Sequence, residues 1–248
     1  MAEALVLFGL GLLLLALGGD SIVKGASGLA QKFGASPFVA GLLLVAFGTS
    51  IPELFVNARA YAVGAQDLAL GNAVGSNIVN FGLTLGLAAL AAPLLIRMRL
   101  LSPMLVALVV ATLAVILFGL DGVISQLEGI VLLLAFVAML VFMLVRSGRE
   151  SLEVRESVAA YADTRSVLWL NLLRFAIAVA LLYFGAKFVV SSAPILGASW
   201  GLSPLLVGLL PVAIGTALPE VAAAIAAARR GQGDMVAGHV IGSSLFNL

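Results

Sequence analysis

Apolar residues in this chain gather in long blocks separated by short polar breaks. Eight blocks are expected to form helices, at about 4–29, 37–62, 68–92, 101–119, 123–145, 167–195, 204–228 and 235–248. Most approach the ~20 residues an α-helix needs to cross a hydrocarbon core, and most are interrupted by Gly or Pro. The one long polar stretch, Arg146 to Arg165, carries Arg149, Glu150, Glu153, Arg155, Glu156 and Asp163. It reads as a short amphipathic or solvated connector between two halves. The pattern therefore predicts an all-α integral membrane protein with a first half at 1–145, a connector at 146–166 and a second half at 167–248.

Composition strengthens that reading. Of 248 residues, 62% are hydrophobic and 10% charged, against roughly 45–50% and 25% in soluble domains. The expected solvent is a lipid bilayer, with no sign of nucleic-acid binding. Cysteine is absent, which excludes disulfides and thiolate metal sites. Met-Ala-Glu precedes the first block without a basic region, so that block is expected to be a retained helix and not a cleaved signal. Lys24, Lys32, Arg97, Arg99, Arg146, Arg149, Arg155, Arg165, Arg229 and Arg230 fall on alternate connections or the helix ends beside them. Because cytoplasmic loops collect positive charge, the N-terminus is expected outside and the connector in the cytoplasm of a multi-pass cell-membrane protein.

The halves repeat each other. A constant offset of 167 relates Gly34 to Gly201, Pro37 to Pro204, Gly41 to Gly208, Gly48 to Gly215, Thr49 to Thr216, Pro52 to Pro219, Glu53 to Glu220, Gly71 to Gly238, Gly75 to Gly242, Ser76 to Ser243 and Asn80 to Asn247. The copies lie five crossings apart, an odd number, so they enter the membrane in opposite directions. Inverted repeats of this kind belong to secondary transporters, whose site lies near the bilayer midplane where the repeats meet.

Each copy carries Gly-Thr-Xaa-Xaa-Pro-Glu, at Gly48–Glu53 and Gly215–Glu220. Proline offers no N–H to the carbonyl four residues back, so a helix break is expected there, freeing the oxygens of Gly48 and Gly215 and turning out those of Ala46 and Ala213. A freed carbonyl in lipid must find a donor or a cation. Glu53 and Glu220 follow directly. A charge at the centre of a spanning helix costs at least about 2.5–3.5 kcal/mol and marks function by default. Neither glutamate has a basic residue at helical spacing. Carboxylate, carbonyl and hydroxyl oxygens together suit hard cations such as Ca²⁺ and Na⁺. In the next helix of each copy Ser76 and Asn80, and Ser243 and Asn247, stand four apart and share a face. They could serve as ligands or as helix-packing contacts, with ligands favoured.

These motifs, GTSIPE with GNAVGSNIVN and then GTALPE with GHVIGSSLFN, resemble the two alpha repeats of the cation/calcium exchanger superfamily, typified by sodium/calcium exchangers. The resemblance covers essentially the whole chain. It implies an inverted-repeat antiporter fold of ten helices, of which about eight segments are present, the second repeat being incomplete at its C-terminal end. Glu53 and Glu220 then correspond to central Ca²⁺ ligands shared with Na⁺. Thr49, Ser50, Ser76, Thr216 and Ser243, with the carbonyls of Ala46 and Ala213, correspond to ligands around them, and Asn80 and Asn247 to the polar flank of the site. The transported ions would be Ca²⁺ and Na⁺, carried by a monomeric unit that needs no cofactor.

The departures fall in the second copy: Ala217 answers Ser50, His239 answers Asn72, and Ser244 answers Asn77. His239, the single histidine, is expected to cap a helix or bond between helices, in preference to relaying protons. Asp20 and Lys187, at matched positions, are expected to snorkel or pair near helix ends. A Ca²⁺/H⁺ antiporter on the same scaffold is the nearest alternative. A channel lacks support because two repeats in one chain do not suggest a symmetric pore. An intramembrane hydrolase would have only the two glutamates to work with, so no enzyme is expected. No Walker-type phosphate loop is present, so the energy is expected to come from an ion gradient.

Overall fold

The computed structural model describes residues 1–35, 39–41, 43, 48–161 and 167–248, without the side chains of Thr49, Ser157 and Tyr161. The beginning of the expected segment 37–62, including Ala46, lies largely outside the described residues. What is described is helical, with no strand. In order, the helices are α1 (Ala2–Lys32), α2 (Ile51–Ala62), α3 (Gln66–Ala91), α4 (Leu101–Phe118), α5 (Gln126–Arg146), α6 (Leu152–Tyr161), α7 (Leu168–Trp200), α8 (Pro204–Arg229) and α9 (Gly233–Phe246). Among the described residues six of these, α1, α3, α4, α5, α7 and α8, are long and apolar enough to cross a membrane. They match six of the eight expected blocks. Of the other two blocks, the described part of 37–62 includes α2, of 12 residues, and 235–248 forms α9, of 14.

Lipid-facing and protein-facing helices separate clearly. In the most apolar windows of α4 and α5 only 11% and 6% of residues are buried, against 50% in α8. Val106, Val109, Val110, Leu113 and Leu117 of α4 are exposed, as are Leu127, Leu133, Leu134, Val137 and Val141 of α5. In water such a surface would aggregate; facing acyl chains it needs no partner. By contrast α1 and α7 pack along much of their length. Their crossing is reciprocal: a Cβ on Gly18 would stand 2.8 Å from Leu182, and one on Gly185 would stand 2.9 Å from Leu15. Gly18 and Gly185, like Leu15 and Leu182, are related by the offset of 167.

Glycines also bring α3 and α8 into backbone contact. A Cβ on Gly71 would lie 2.1 Å from the Leu205 carbonyl oxygen, and one on Gly208 would lie 2.3 Å from the Leu68 carbonyl oxygen. Small residues allow this close approach, on which helix association in lipid relies in the absence of a hydrophobic driving force. Both helices also widen by one π turn, α3 at Asn80–Thr84 and α8 at Gly208–Val212. In α8 the turn contains Pro211, whose missing N–H a regular helix could not accommodate without loss.

The polar connector is more ordered than a solvated linker. Its helix α6 buries Val154 and Val158 among Met104, Met143, Met235 and Ile241, an i, i+4 pair on one face. A Cβ on Gly41 would stand 2.2 Å from the Val158 carbonyl oxygen, so α6 also touches the segment leading to α2. Ahead of it, the Glu150 carboxylate accepts from the Arg99 and Leu100 N–H groups at 3.1 and 2.8 Å. Asp234, at the start of α9, accepts from the N–H groups of Arg97 and Met98 at 2.5 and 2.7 Å. Arg97 closes the cluster by pairing with Glu153.

The α3–α8 contact makes a stability prediction. Gly208→Ala must push two backbones apart and should cost about 1–3 kcal/mol, read as a lowered thermal midpoint in detergent. Gly9→Ala is the control, since no atom lies within 4 Å of its added methyl, and it should leave the midpoint unchanged or raise it.

Candidate functional site

The two motif glutamates are buried where the halves meet, Glu53 with 2% and Glu220 with 4% of its surface exposed. Glu53 stands in the first turn of α2, just after Pro52. The backbone of Gly48–Ser50 forms a 3-10 turn leading into it, so the first motif is a helix start, with proline where a missing N–H does no harm. The second motif behaves differently. Although Pro219 leaves the Gly215 oxygen without its usual donor, α8 runs unbroken from Ala213 through Glu220 to Arg229. The expected break at Gly215–Glu220 is therefore not observed. The irregularity of this copy lies upstream, in the π turn before Ala213.

Uncharged polar groups from both halves meet each other, and one of them meets an acid. Ser50 donates to the Ser243 hydroxyl at 2.5 Å. Asn80 donates from its amide to Ser243 at 2.9 Å and to Ser244 at 3.3 Å. Thr216 interacts with Glu53 across the repeat interface and also reaches back to the Ala213 carbonyl at 3.3 Å. The carboxylates are near enough to repel each other. Each retains one buried oxygen, Oε2, with no hydrogen-bond partner, and so does the hydroxyl of Ser76. Among the described residues no three His, Cys, Asp or Glu side chains converge. A cation here would draw on two carboxylates and uncharged oxygens, a donor set for hard ions.

Of the residues singled out from the sequence, Ser50, Asn80 and Ser243 are joined by hydrogen bonds, and Glu53, Thr216 and Glu220 by their mutual interactions; the turn Gly48–Ser50 leading into Glu53 connects the two groups. Ser76 lies one turn before Asn80 on the same face, and Ala213 is fully buried against Val79 and Ala217. Asn247 caps the C-terminus of α9, half-buried, with its amide nitrogen buried and unpaired. Only the backbone of Thr49 is described, and Ala46 is outside the described residues. Ser244, which the sequence marks only as a departure from Asn77, receives a bond from Asn80. Two expectations hold only in part. His239 is buried inside α9, beyond its N-cap Gln232, so of its two expected roles the capping of that helix is excluded. Asp20 does pair, with Lys24 at 2.7 Å, but well inside α1 rather than near its end.

An all-α membrane fold with paired acids at the meeting point of two halves defines a secondary-active cation antiporter. The family model described as "Sodium/calcium exchanger protein" matches residues 3–145 and 170–248. The chain belongs to the sodium/calcium exchanger family, whose members are transporters and not enzymes. It is 36% identical to Inner membrane protein YrbG of Escherichia coli, over 100% of this chain and 77% of that protein. It is 30% identical to Sodium/calcium exchanger MaX1 of Methanosarcina acetivorans, over 96% and 78%. A solved structure of the sodium-calcium exchanger NCX_Mj superposes with a TM-score of 0.60 at 32% identity, covering 99% of this chain and 79% of that one.

The hydroxyl junction at Ser243 is directly testable. Ser243→Ala removes the acceptor used by Ser50 and the nearer acceptor of Asn80, leaving buried donors short of a partner. Loss of about 1–3 kcal/mol is expected, measured by denaturation in detergent.

Proposed function

We propose that this protein exchanges Na⁺ for Ca²⁺ across the cell membrane, binding both ions at mid-membrane between Glu53 and Glu220. The observation that carries the reading is the mutual burial of these carboxylates within repelling range, each with an oxygen left unpaired. Such a pair is stable in lipid only when positive charge compensates it. One Ca²⁺ or two or more Na⁺ do so, while the unloaded pair is disfavoured on its way across, which is the condition for coupled exchange. In this reading Thr49, Ser50, Ser76 and Asn80, with the Ala46 carbonyl, surround the ions from the first half. Thr216, Ser243 and Asn247, with the Ala213 carbonyl, do so from the second.

Na⁺ is preferred to H⁺ as the coupling ion because a proton on a carboxylate needs no cage of neutral oxygens; the meeting of the Ser50 and Ser243 hydroxyls with the Asn80 amide supports this reading. The names of the relatives point the same way: MaX1 is a sodium/calcium exchanger, and NCX_Mj is a sodium-calcium exchanger studied with Na⁺ and Ca²⁺. The proposed arrangement is two inverted repeats, residues 1–145 and 167–248, joined by a cytoplasmic connector at 146–166. The N-terminus lies outside, following the distribution of Lys and Arg, and one chain forms the transport unit.

Glu53→Gln or Glu220→Gln keeps size and hydrogen-bonding shape while removing one charge. Either change should reduce Ca²⁺ uptake by vesicles on the order of 100-fold, the equivalent of about 3 kcal/mol, with the protein still inserted and folded. Ca²⁺ flux at the wild-type rate in either variant would sink the assignment of these acids.

Coupling is read separately, in vesicles loaded with Na⁺ and held at fixed membrane potential. Uptake should depend on internal Na⁺ and survive collapse of the pH gradient. Uptake that ignores Na⁺ and stops with a proton carrier assigns the scaffold to Ca²⁺/H⁺ exchange.

A further inference from the structure

Asp20 and Lys24 have no part in the site described above. They form an ion pair of 2.7 Å, one turn apart on α1, with side chains 62% and 53% exposed. Both stand well inside a 31-residue apolar helix that ends at Lys32. Charges at such depth are expensive and almost always face the bundle interior or a water-filled cavity. Such a cavity is present. It encloses about 130 Å³ and is open on one side, and its walls include Gly19 and Asp20 of α1, Pro52 ahead of Glu53, and Thr216, Pro219 and Glu220 of α8. That volume accommodates a cation together with several waters.

Three features give the cavity a direction. Its inner wall carries Glu220, whose buried Oε2 is unpaired, and its outer wall carries Asp20, whose carboxylate is exposed. Thr216 adds a neutral oxygen to the same wall lining. The acid is also confined to one half, since the offset of 167 places Lys187 opposite Asp20, with its side chain exposed on α7. The position on α1 thus carries an acid where its counterpart on α7 carries a base.

We propose that Asp20 is the outer station through which cations reach Glu220, and that Lys24 acts there as a tethered competing cation. An arriving ion exchanges with the Lys24 ammonium on the Asp20 carboxylate and then passes inward along Thr216. The ammonium, held on its own helix turn, swings back behind the ion. Lys24 keeps the carboxylate neutralised while no ion is present, which lowers the cost of holding a charge at this depth, and it weakens retention so that the ion moves on. This inference rests on the reading of Glu53 and Glu220 as the ion site.

The test compares wild type with Asp20→Asn, Asp20→Glu, Lys24→Gln and the double variant Asp20→Asn with Lys24→Gln, all in the full chain in vesicles. Initial Ca²⁺ uptake is measured against Ca²⁺ concentration. Asp20→Asn should raise the half-saturating concentration on the order of tenfold, the range expected when a steering charge is removed, with a smaller change in maximal rate. Asp20→Glu should restore it. Lys24→Gln should lower it about threefold, a gain that misfolding cannot imitate. The double variant should match Asp20→Asn alone. Unchanged half-saturation in Asp20→Asn overturns the proposal, as does a Lys24→Gln effect that persists without Asp20. Ca²⁺ association with the detergent-solubilised variants, followed by stopped-flow with a fluorescent indicator, should show the same order without any gradient. If wild type associates with Ca²⁺ but Na⁺ drives no uptake, the coupling assignment fails while association still decides the role of Asp20. Absence of Ca²⁺ association in wild type overturns both.

Discussion

Two carboxylates that repel each other inside an apolar bundle impose the condition that the rest of the molecule must meet. No basic side chain is spaced along either helix to neutralise them, and surrounding lipid offers no screening. The bundle answers with uncharged oxygens: the Ser50–Ser243 bond, the amide of Asn80 reaching two hydroxyls, and Thr216 beside Glu53. These dipoles ease the burial of charge without cancelling it. On the proposed reading the remaining cost is met by the transported ion, so binding and the crossing of the barrier are set by one electrostatic balance.

Away from the cavity shared by Asp20 and Glu220, that balance needs close-packed walls, since a site loose on every side would admit water and screen the charges. Gly71 and Gly208 let α3 and α8 meet backbone to backbone, and Gly75 lets the next turn approach Leu209 and Ala213. The same approach positions Asn80 of α3, at the start of its π turn, against α9. A π turn rotates everything beyond it relative to a regular helix. Polar groups on either side of the turn can therefore face different neighbours: Asn80 toward Ser243, and Thr84 into a fully buried position on the same helix.

Much of this was legible in the chain. Long apolar blocks mark α1, α3, α4, α5, α7 and α8 because lipid demands both length and hydrophobicity, and both are local properties. The central acids, with Ser50, Thr216, Ser243 and Asn80, were legible because a repeated motif singles out residues whose burial is otherwise costly. Other features depend on tertiary context. Pro219 reads as a helix breaker, yet α8 continues through it, and the irregular turn falls instead around Pro211, which no propensity distinguishes from a kink. Val154 and Val158 are too short an apolar pattern to announce that α6 docks. The pairing of Asp20 followed from charge alone, but its position on a cavity that reaches Glu220 needed α1 and α8 side by side.

The crossing of α1 and α7 has a consequence of another kind. Gly18 against Leu182 and Leu15 against Gly185 form a contact that maps onto itself when the two halves trade places. If alternating access interchanges the conformations of two related halves, this joint presents the same surfaces before and after. It then acts as a fulcrum with no preferred side, contributing equally to outward-open and inward-open forms. The direction in which the molecule rests would be left to elements that differ between the halves, such as Ala217, His239 and the docked α6, and to whichever ion is aboard.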